Sequence, residues 1–269
     1  MKIIIAGCGW LGKLLAAELV AAGHEVYGSC RSAQRAVLLP DGVIPLLLDL
    51  SESTQYLDDI NNIFKNAIVI CSVTPGKVTE SNYLVSLSRL LELMQHAGSL
   101  GCIHFSSTGI YQGLAGDVTE DSLVDTALAR VKLLADGEDI LQQFQPCITL
   151  RLAGLMGPGR HPGVFVRGKT LQAPDHPVNM VHSDDICQAV LGMLQQPFIS
   201  RIYNLSCPQR LSKKQFYLQA CLHAGVTPVT FASPATGPNR RVIANSICRD
   251  YPFRYRYDSA AEALSACPM

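Results

Sequence analysis

The sequence has few charged residues and no excess of either sign. Only 16% of its 269 residues are charged, and 22 lysines and arginines balance 22 aspartates and glutamates. Average soluble chains carry about 25% charged residues. This balance excludes the uniform basic surface that binds nucleic acid or anionic membranes, and a hydrophobic content of 48% makes a long disordered segment unexpected. The composition predicts a globular protein whose partner is a small molecule.

The ten cysteines never lie closer than fourteen residues apart, and the sequence contains neither a CxxC nor an HExxH motif. These absences exclude the common zinc spacings and a disulfide framework, so we expect no metal site and scattered buried thiols. No apolar run approaches the ~20 residues that cross a bilayer. The few residues before Cys8 are too short for a signal peptide. The expected location is the cytoplasm, with no membrane partner.

Short apolar runs alternate with longer segments of helical period over the first half of the chain. The helical period is clearest at Leu11, Leu15 and Leu19. Because strands of continuous hydrophobicity are usually buried on both faces, the pattern predicts an α/β fold with a Rossmann-type doubly wound parallel sheet. The predicted strands lie at 2–6, 25–29, 44–48, 67–72, 102–106 and 147–152.

Glycine and proline become frequent after Leu155, as in the segments Gly157-Pro158-Gly159 and His161-Pro162-Gly163. Loops of this composition often form the substrate side of a site. We therefore expect a dinucleotide-binding Rossmann domain over 1–155 and a smaller, mixed substrate-binding region over 156–269. A strand near 201–207 is expected to return to the sheet, which would interleave the two. The low charge would permit a homodimer through a helix face and would permit a monomer equally well.

A glycine motif follows the first predicted strand directly and opens the first helix. It reads Gly7-x-Gly9-x-x-Gly12. In this context the first glycine allows a tight turn, the second lets the backbone approach a pyrophosphate, and the third lets the helix pack on the strand. The alternative is a glycine-rich turn without a ligand. The predicted cofactor-binding residues here are Gly7, Cys8, Gly9, Trp10, Leu11 and Gly12.

The end of the second predicted strand indicates which dinucleotide binds. An NAD enzyme usually has an acidic residue there, whereas this sequence has Arg31 and Ser32. A guanidinium forms charge-assisted hydrogen bonds with a 2′-phosphate, which a carboxylate would repel. We therefore predict NADP(H) in preference to NAD(H). The alternative is an ordinary surface arginine at the end of a strand.

Together with the glycine turn, five further segments resemble the extended short-chain dehydrogenase/reductases, in the NAD(P)-dependent epimerase/dehydratase group. The resemblance covers nearly the whole chain and implies that Asp49 and Leu50 contact adenine. It further implies that Ser72, Val73 and Thr74 lie along the cofactor and that Ser107 is catalytic. The segments are Asp49-Leu50, Ser72-Val73-Thr74, Ser106-Ser107-Thr108-Gly109-Ile110-Tyr111, Arg151-x-x-Gly154-x-Met156-Gly157-Pro158-Gly159 and Val181-His182-Ser183-Asp184-Asp185.

The sequence departs from this family at two places. Its glycine motif is shorter than the usual GxxGxxG, and no tyrosine is followed by a lysine four residues later. Aligning Glu138 with the usual helix sequence puts Arg130 at the tyrosine position and Leu134 at the lysine position. The chain thus resembles an atypical branch of the family that keeps the serine but lacks the Tyr/Lys pair.

Two residues are candidates to replace the missing acid, because a serine alone is a poor proton donor near neutral pH. Tyr111 lies four residues beyond Ser107, and His182 has a suitable intrinsic pKa. Tyr111 has the alternative of packing below the site. His182 has the alternative of orienting its own turn.

Further basic and polar residues are candidates for the substrate side. Arg130 could stabilise an oxyanion, with a solvated helix position as its alternative. Resemblance alone places Arg160, His161 and Asn179 near a substrate. The pair Arg240-Arg241 could receive a phosphorylated or nucleotide-linked substrate, or could be a solvated basic pair.

The sequence as a whole predicts an NADP(H)-binding, epimerase/dehydratase-like oxidoreductase. The expected substrate is a small carbonyl, alcohol or sugar-like molecule. The alternative is a catalytically silent NAD(P)-binding sensor or regulatory protein, which the missing Tyr/Lys pair favours. A closed polar pocket would indicate the enzyme, and an exposed docking patch would indicate the sensor.

Overall fold

A computed structural model describes residues 1–52, 58–75, 80–232 and 237–268. The strands are β1 (Lys2–Ala6), β2 (Glu25–Cys30), β3 (Ile44–Leu47), β4 (Ile68–Cys71), β5 (Gly101–Ser107), β6 (Gly116–Val118), β7 (Cys147–Leu152), β8 (Gly154–Met156), β9 (Thr170–Leu171), β10 (Met180–His182), β11 (Arg201–Leu205), β12 (Thr230–Phe231) and β13 (Arg240–Val242). The helices are α1 (Trp10–Ala21), α2 (Ala33–Ala36), α3 (Asp58–Phe64), α4 (Glu80–Ala97), α5 (Ala129–Gln142), α6 (Pro162–Val166), α7 (Ser183–Leu194), α8 (Lys213–His223) and α9 (Ser246–Asp250), and Thr108–Tyr111 and Glu262–Ala266 form 3₁₀ turns.

The central sheet has seven strands in the order β11-β7-β5-β4-β1-β2-β3. Ile3 of β1 pairs in parallel with Val26 of β2 and with Ile68 of β4, and the β2–β3 and β4–β5 pairs are also parallel. The chain runs from β1 out to β3 and then returns to β4 on the other side of β1. Because crossovers between parallel strands are right-handed, this reversal places helices on both faces of the sheet. The predicted Rossmann-type α/β fold is confirmed.

Helix α1 follows the first strand and buries the leucine stripe seen in the sequence. Leu11, Leu15 and Leu19 are all buried. The helix ends in a Schellman motif, where Gly23 has φ +80° and the N–H of His24 donates to the Leu19 carbonyl at 3.1 Å. The helical period therefore predicts the buried face of this helix, and Gly23 ends it.

The expectation that every strand is buried on both faces is wrong for β3. Ile44 and Leu47 are 40% and 58% exposed, and within the strand only Leu46 is buried. The reason is topological, because β3 is the last strand of the sheet and has a neighbouring strand on one side only. A hydrophobic sequence therefore does not predict burial for β3, because it is an edge strand.

The chain divides into two compact units, each assembled from separate segments. The first contains Met1–Ser106, Lys132–Leu150 and Leu194–Ile202, and the second contains Ser107–Val131, Arg151–Met193 and Tyr203–Met269. The second unit includes three small two-stranded sheets, β8–β10, β9–β12 and β6–β13, all parallel. These segments differ from a single cut at residue 155. In the described part of the chain, no helix is long and apolar enough to cross a membrane.

Candidate functional site

In the first unit, the three glycines of the motif have the three environments that a dinucleotide turn needs. Gly7 has φ +84°, and a Cβ atom built on it would lie 3.0 Å from both the carbonyl carbon of Ser72 and the amide nitrogen of Val73. A Cβ on Gly12 would lie 3.1 Å from Cγ2 of Ile5, so this glycine lets α1 pack on β1. A Cβ on Gly9, by contrast, would meet only the Gly7 carbonyl oxygen, at 3.9 Å. The turn is therefore closed at its first and third glycines and open at its second.

The glycine turn is held in place by Ser29, at the end of β2. The N–H of Gly7 donates to the Ser29 hydroxyl at 2.8 Å, and the N–H of Cys8 donates to the Ser29 carbonyl at 3.2 Å. Ser29 is buried at the end of β2. Burial raises the pKa of the Cys8 thiol to about 11, so this cysteine is a packed, protonated side chain.

Arg31 and Ser32 lie immediately beyond β2, where the cofactor preference was predicted. Arg31 is exposed, and Ser32 precedes α2 without using its hydroxyl as a helix cap. Partial burial disfavours the charge of Asp49, but hydrogen bonds from Ser51 and the positive charges of Arg31 and Arg89 hold the pKa of the Asp49 carboxyl below its usual value. The structure thus places Arg31 close enough to Asp49 for the two charges to interact.

The other predicted cofactor residues follow β3 and β4. Asp49 is fixed by the N–H and the hydroxyl of Ser51, at 2.9 and 2.6 Å. The carbonyl of the buried Leu50 accepts a hydrogen bond from Arg89 at 3.1 Å. Residues 72–74 extend from the end of β4, and the N–H of Ser72 donates to the Ala6 carbonyl at 2.8 Å. All of these residues therefore lie at the carboxyl ends of neighbouring strands, where Rossmann folds bind their ligands.

Helix α5 carries the positions that the resemblance aligned with the missing Tyr/Lys pair. The hydroxyl of Ser106 donates to the buried carboxyl of Glu138 at 2.5 Å, which ties this helix to β5. Leu134, one turn earlier, is buried. Arg130, two turns earlier, is exposed. The helix therefore presents a hydrophobic side chain at the lysine position and a solvated cation at the tyrosine position.

In the second unit, Ser107 and Tyr111 stand at the two ends of one short turn. The Ser107 hydroxyl accepts a hydrogen bond from the N–H of Gly109 at 3.0 Å, which leaves its own proton free to donate. Tyr111 is fully buried, donates to Oδ1 of Asn204 at 2.8 Å and accepts from Arg151 at 2.9 Å. Burial raises the pKa of Tyr111, an effect that Arg151 partly opposes. The proton of this hydroxyl is thus already engaged inside the protein.

This network extends to residues far apart in the sequence. Asn204 donates from its side chain to the Ile243 carbonyl at 3.0 Å, and its N–H donates to Glu120 at 2.8 Å. The hydroxyl of Ser246 also donates to Glu120, and Arg151 reaches the Glu120 carbonyl at 3.3 Å. Tyr111 is therefore held by Arg151 and Asn204, which are themselves bound to other parts of the second unit.

His182 is likewise engaged within its own unit. The N–H of Asp184 donates to His182 Nδ1 at 3.1 Å, so the ring proton is on Nε2, which donates to the Ala266 carbonyl at 3.1 Å. The ring is fully buried and its edge meets Tyr257. Burial lowers the pKa of His182. The neutral ring joins the start of α7 to the C-terminal 3₁₀ turn.

The candidate substrate residues are held by contacts of several kinds. Asn179 donates to the Arg240 carbonyl at 3.1 Å and accepts from the N–H of Val242 at 2.8 Å, so it anchors β13. Arg160 donates to the Leu155 carbonyl at 3.2 Å and lies over the ring of Phe165. His161 is buried and caps α6 by accepting from the N–H of Gly163 at 3.1 Å.

A pair of cations in the second unit has no carboxylate partner among the residues that the structure describes. Burial lowers the pKa of Arg240, and burial followed by the positive charge of Arg240 lowers the pKa of Lys213. The Nε of Arg240 is buried and meets no described hydrogen-bond acceptor. Two partly desolvated cations repel each other unless an anion lies between or beside them.

Sequence reasoning missed several of these residues. One signal was available for Lys213, because Ser212 and Gln215 form a capping box that marks the start of α8. Glu120 and Asn204 gave no local signal, since their partners lie many residues away. Within the described residues, no group of three or more histidine, cysteine or acidic side chains could hold a metal ion.

Comparison with known proteins places these features in context. No family model matches the chain. It is 31% identical over 264 residues to Protein YeeZ of Escherichia coli strain K12, covering 95% of this chain and 96% of that protein. A Methylobacillus flagellatus structure, provisionally assigned as an NAD-dependent epimerase/dehydratase, has a TM-score of 0.80 at 26% identity and covers 98% of this chain and 95% of its own.

The Bordetella bronchiseptica enzyme WbmG, solved in complex with NAD and UDP, has a TM-score of 0.82 at 18% identity and covers 99% of this chain and 93% of its own. At that identity, the likeness to WbmG shows the fold alone. A further neighbour, UDP-glucuronic acid 4-epimerase of Bacillus cereus in complex with NAD, has a TM-score of 0.80 at 16% identity and covers 99% of this chain and 97% of its own. The identity to YeeZ and its coverage show that the chain belongs to the same family as E. coli Protein YeeZ.

Proposed function

We propose that this protein is an NADP(H)-preferring enzyme of the epimerase/dehydratase type. The observation that carries the proposal is the glycine turn, which is closed against the backbone at Gly7 and open at Gly9. The open side gives a pyrophosphate room to approach the backbone, and α1 begins with no side-chain cap and no acidic residue in its first turn. When bound, the nicotinamide would supply or accept a hydride.

The preference for NADP(H) rests on the residues beyond β2. Arg31 is exposed, and the hydroxyl of the next residue, Ser32, makes no helix-cap hydrogen bond. A 2′-phosphate would therefore meet a positive charge and a hydrogen-bond donor. Asp49 is held further on by Ser51 and is assigned to the adenine side. Its negative charge would moderate the attraction that Arg31 exerts on a phosphate.

Ser107 is the residue that we assign to the reacting oxygen. Its hydroxyl accepts from Gly109 and can still donate its own proton to a carbonyl or alcohol oxygen. We assign Tyr111 and His182 a positioning role and not a catalytic one. The hydroxyl proton of Tyr111 is donated to Asn204, and the ring proton of His182 is donated to the Ala266 carbonyl. Ser107 would therefore polarise the substrate oxygen. Water would supply the proton when a carbonyl is reduced and would take up the proton when an alcohol is oxidised.

The substrate class follows from Lys213 and Arg240. Two neighbouring cations, one of which lowers the pKa of the other, favour an anionic ligand, and the buried Nε of Arg240 favours a hydrogen-bond acceptor. We assign this pair to a phosphate of a sugar-like substrate, in line with the UDP that WbmG binds. Arg160, His161 and Asn179 would shape the surrounding loops, and the exposed Arg130 could contribute positive charge.

The second candidate function is a catalytically silent NAD(P)-binding sensor. The observation in its favour is that the structure offers Leu134 and the exposed Arg130 where complete enzymes have lysine and tyrosine. Both Tyr111 and His182 are also engaged elsewhere. A sensor would bind the cofactor with the same glycine turn but would not turn over a substrate.

The first test is calorimetric titration of the whole protein with NADPH and with NADH. Arg31→Ala should weaken NADPH binding by about 10- to 100-fold, since one charge-assisted pair is lost, and should leave NADH binding unchanged. Arg35→Ala removes an exposed arginine from α2 and is the matched control. Equal affinity of the wild type for the two cofactors would contradict the preference, and no binding of either would remove the proposed function.

The second test separates the enzyme from the sensor. UDP and UDP-sugars are titrated into the NADP⁺-loaded protein, and the absorbance of the reduced nicotinamide that forms when a sugar alcohol gives up a hydride is followed. Lys213→Ala should weaken UDP binding by roughly tenfold, whereas the neighbouring exposed Lys214→Ala should not. A nicotinamide signal that is lost in Ser107→Ala supports the enzyme. UDP binding that does not depend on Lys213 would contradict the substrate class.

A further inference from the structure

Two histidines in the second unit share a hydrogen bond that the proposed function does not use. His161 stands immediately before α6, and His223 is the last residue of α8. Their Nε2 and Nδ1 atoms are 3.0 Å apart, and the two rings are parallel to within 5°. His161 is buried and His223 is exposed, so one ring of the pair is open to solvent.

The hydrogen bonds of His161 fix the protons of both rings. Nδ1 of His161 accepts from the N–H of Gly163 at 3.1 Å, so it carries no proton. Nε2 of His161 must then carry the proton and donate it to Nδ1 of His223. Both rings are therefore neutral, and the proton of His223 is on Nε2. In the two hydrogen bonds that run from Gly163 through His161 to His223, each ring nitrogen is therefore either a donor or an acceptor.

This pair spans a very close contact between α6 and α8. A Cβ atom on Gly163 would lie 2.3 Å from the Ala220 carbonyl oxygen, so α6 rests directly on the backbone of α8. The thiol of Cys221 also contacts the Gly163 carbonyl, at 3.9 Å. The start of α6 is thus held to α8 by the hydrogen bond between the two imidazoles. It is also held by backbone and thiol contacts at Gly163 that do not involve the histidines.

The charged side chains near the histidine pair are directed elsewhere or lie at a distance. Burial and then the charge of His223 lower the pKa of His161, and no other charged group contributes to that shift. Arg160 is directed to the Leu155 carbonyl and the Phe165 ring, and Arg167 is exposed at the far end of α6. The lysines of α8 lie at its other end, about ten residues or 15 Å away.

We propose that His161 and His223 form a proton-operated latch that fastens α6 to α8 when both rings are neutral and releases it when His223 is protonated. A proton on His223 Nδ1 would point at the N–H of His161. A proton on His161 Nδ1 would point at the N–H of Gly163. Every protonated state therefore loses a hydrogen bond, and His223 is the ring of the pair that is open to solvent.

The latch itself does not depend on the proposed function. Its consequence for catalysis does rest on that function, which assigns the loop at Arg160 and His161 to the substrate side. Release of α6 would then loosen that loop as the pH falls. The experiment below measures α6 alone, so it can fail or succeed whether or not the protein binds a nucleotide.

Hydrogen–deuterium exchange of the whole protein tests the latch at about pH 7.5 and about pH 5.5, on either side of the ordinary histidine pKa. After correction for chemical exchange, peptides covering residues 163–168 should exchange about tenfold faster at the lower pH, because the latch is lost there. Peptides from α1 serve as an internal reference and should not respond.

Two variants of the exposed His223 make the result specific. His223→Asn keeps an acceptor near the Nδ1 position but cannot be protonated. Because burial lowers the pKa of the remaining ring, His161, α6 should stay protected at both pH values. His223→Phe removes the acceptor, so α6 should exchange fast at both. The latch is refuted if His223→Asn shows the same pH response as the wild type, or if His223→Phe is as protected as the wild type at about pH 7.5.

Discussion

The glycine turn of the first unit and the Tyr111 network of the second are built in opposite ways. The turn depends on backbone: Gly7 lies against the backbone of Ser72 and Val73, and Ser29 holds its N–H groups. The network depends on side chains, with Tyr111 joined to Asn204 across 93 positions of sequence. A site made of backbone leaves a compact pattern in the sequence, whereas a site made of distant side chains leaves none.

The largest expected effect in this comparison comes from Gly7→Ala. The new methyl would meet backbone at 3.0 Å at a residue with φ +84°. We expect a loss of roughly 2–3 kcal/mol of unfolding free energy and of NADPH binding, measured by denaturant titration and calorimetry. Gly23→Ala is the control, because Gly23 has φ +80° but no atom within 4 Å. Equal losses in the two variants would show that backbone contact at Gly7 is unimportant.

Gly9→Ala should separate binding from stability. Its methyl would approach only the Gly7 carbonyl oxygen, at 3.9 Å. Stability should change by no more than about 0.5 kcal/mol, while the affinity for NADPH should fall by about 100-fold because the methyl fills the space of the pyrophosphate. Calorimetry on a variant with a normal unfolding curve checks this, and unchanged affinity would argue that the turn binds no dinucleotide.

Tyr111→Phe tests the side-chain network without altering its packing. Removing the hydroxyl leaves Oδ1 of Asn204 and the buried guanidinium of Arg151 each short of one partner. The unfolding free energy should fall by about 2 kcal/mol, and NADPH affinity should not change. Tyr27→Phe, whose hydroxyl donates to Glu25 near the surface, is the matched control. A loss of nucleotide binding in Tyr111→Phe would show that the two sites are coupled.

The smallest effect is expected at Asp185, a buried side chain of the second unit whose contribution to the unfolding free energy should depend on pH. Its carboxyl is fully buried, accepts from the N–H of Arg256 at 2.6 Å, and burial raises its pKa to about 6. The folded state therefore binds this proton more tightly than the unfolded chain does, so the stability it contributes is present below about pH 4 and is lost as the pH rises through about 6.

Asp185→Asn cannot lose a proton. Relative to the wild type, its unfolding free energy should therefore increase by on the order of 1 kcal/mol between about pH 5 and about pH 8. Denaturant titrations at several pH values measure this difference. Asp139→Asn, at an exposed position of α5, should show no such trend. A difference that stays constant with pH would mean that Asp185 is charged throughout.

Much of the fold could be read from the sequence because its signals are local. The predicted strands all match strands of the central sheet, and the buried leucines of α1 were identified by their spacing. Edge position is not local, which is why β3 was expected to be buried and is not. Helix α8 was missed, although its capping box at Ser212 was visible in the sequence, because its own apolar periodicity is weak.

The sequence by itself determined the strand–turn–helix unit at Gly7, the order of the motifs and the absence of a Tyr/Lys pair, since each is set by residues close together in the chain. Only the tertiary structure decided that the protons of Tyr111 and His182 are engaged and that Arg240 and Lys213 share one environment. It also decided that His161 meets His223 across 62 residues. The physical reason is that a side chain's protonation and partners depend on burial and on neighbours that folding brings together, which spacing along the chain does not encode.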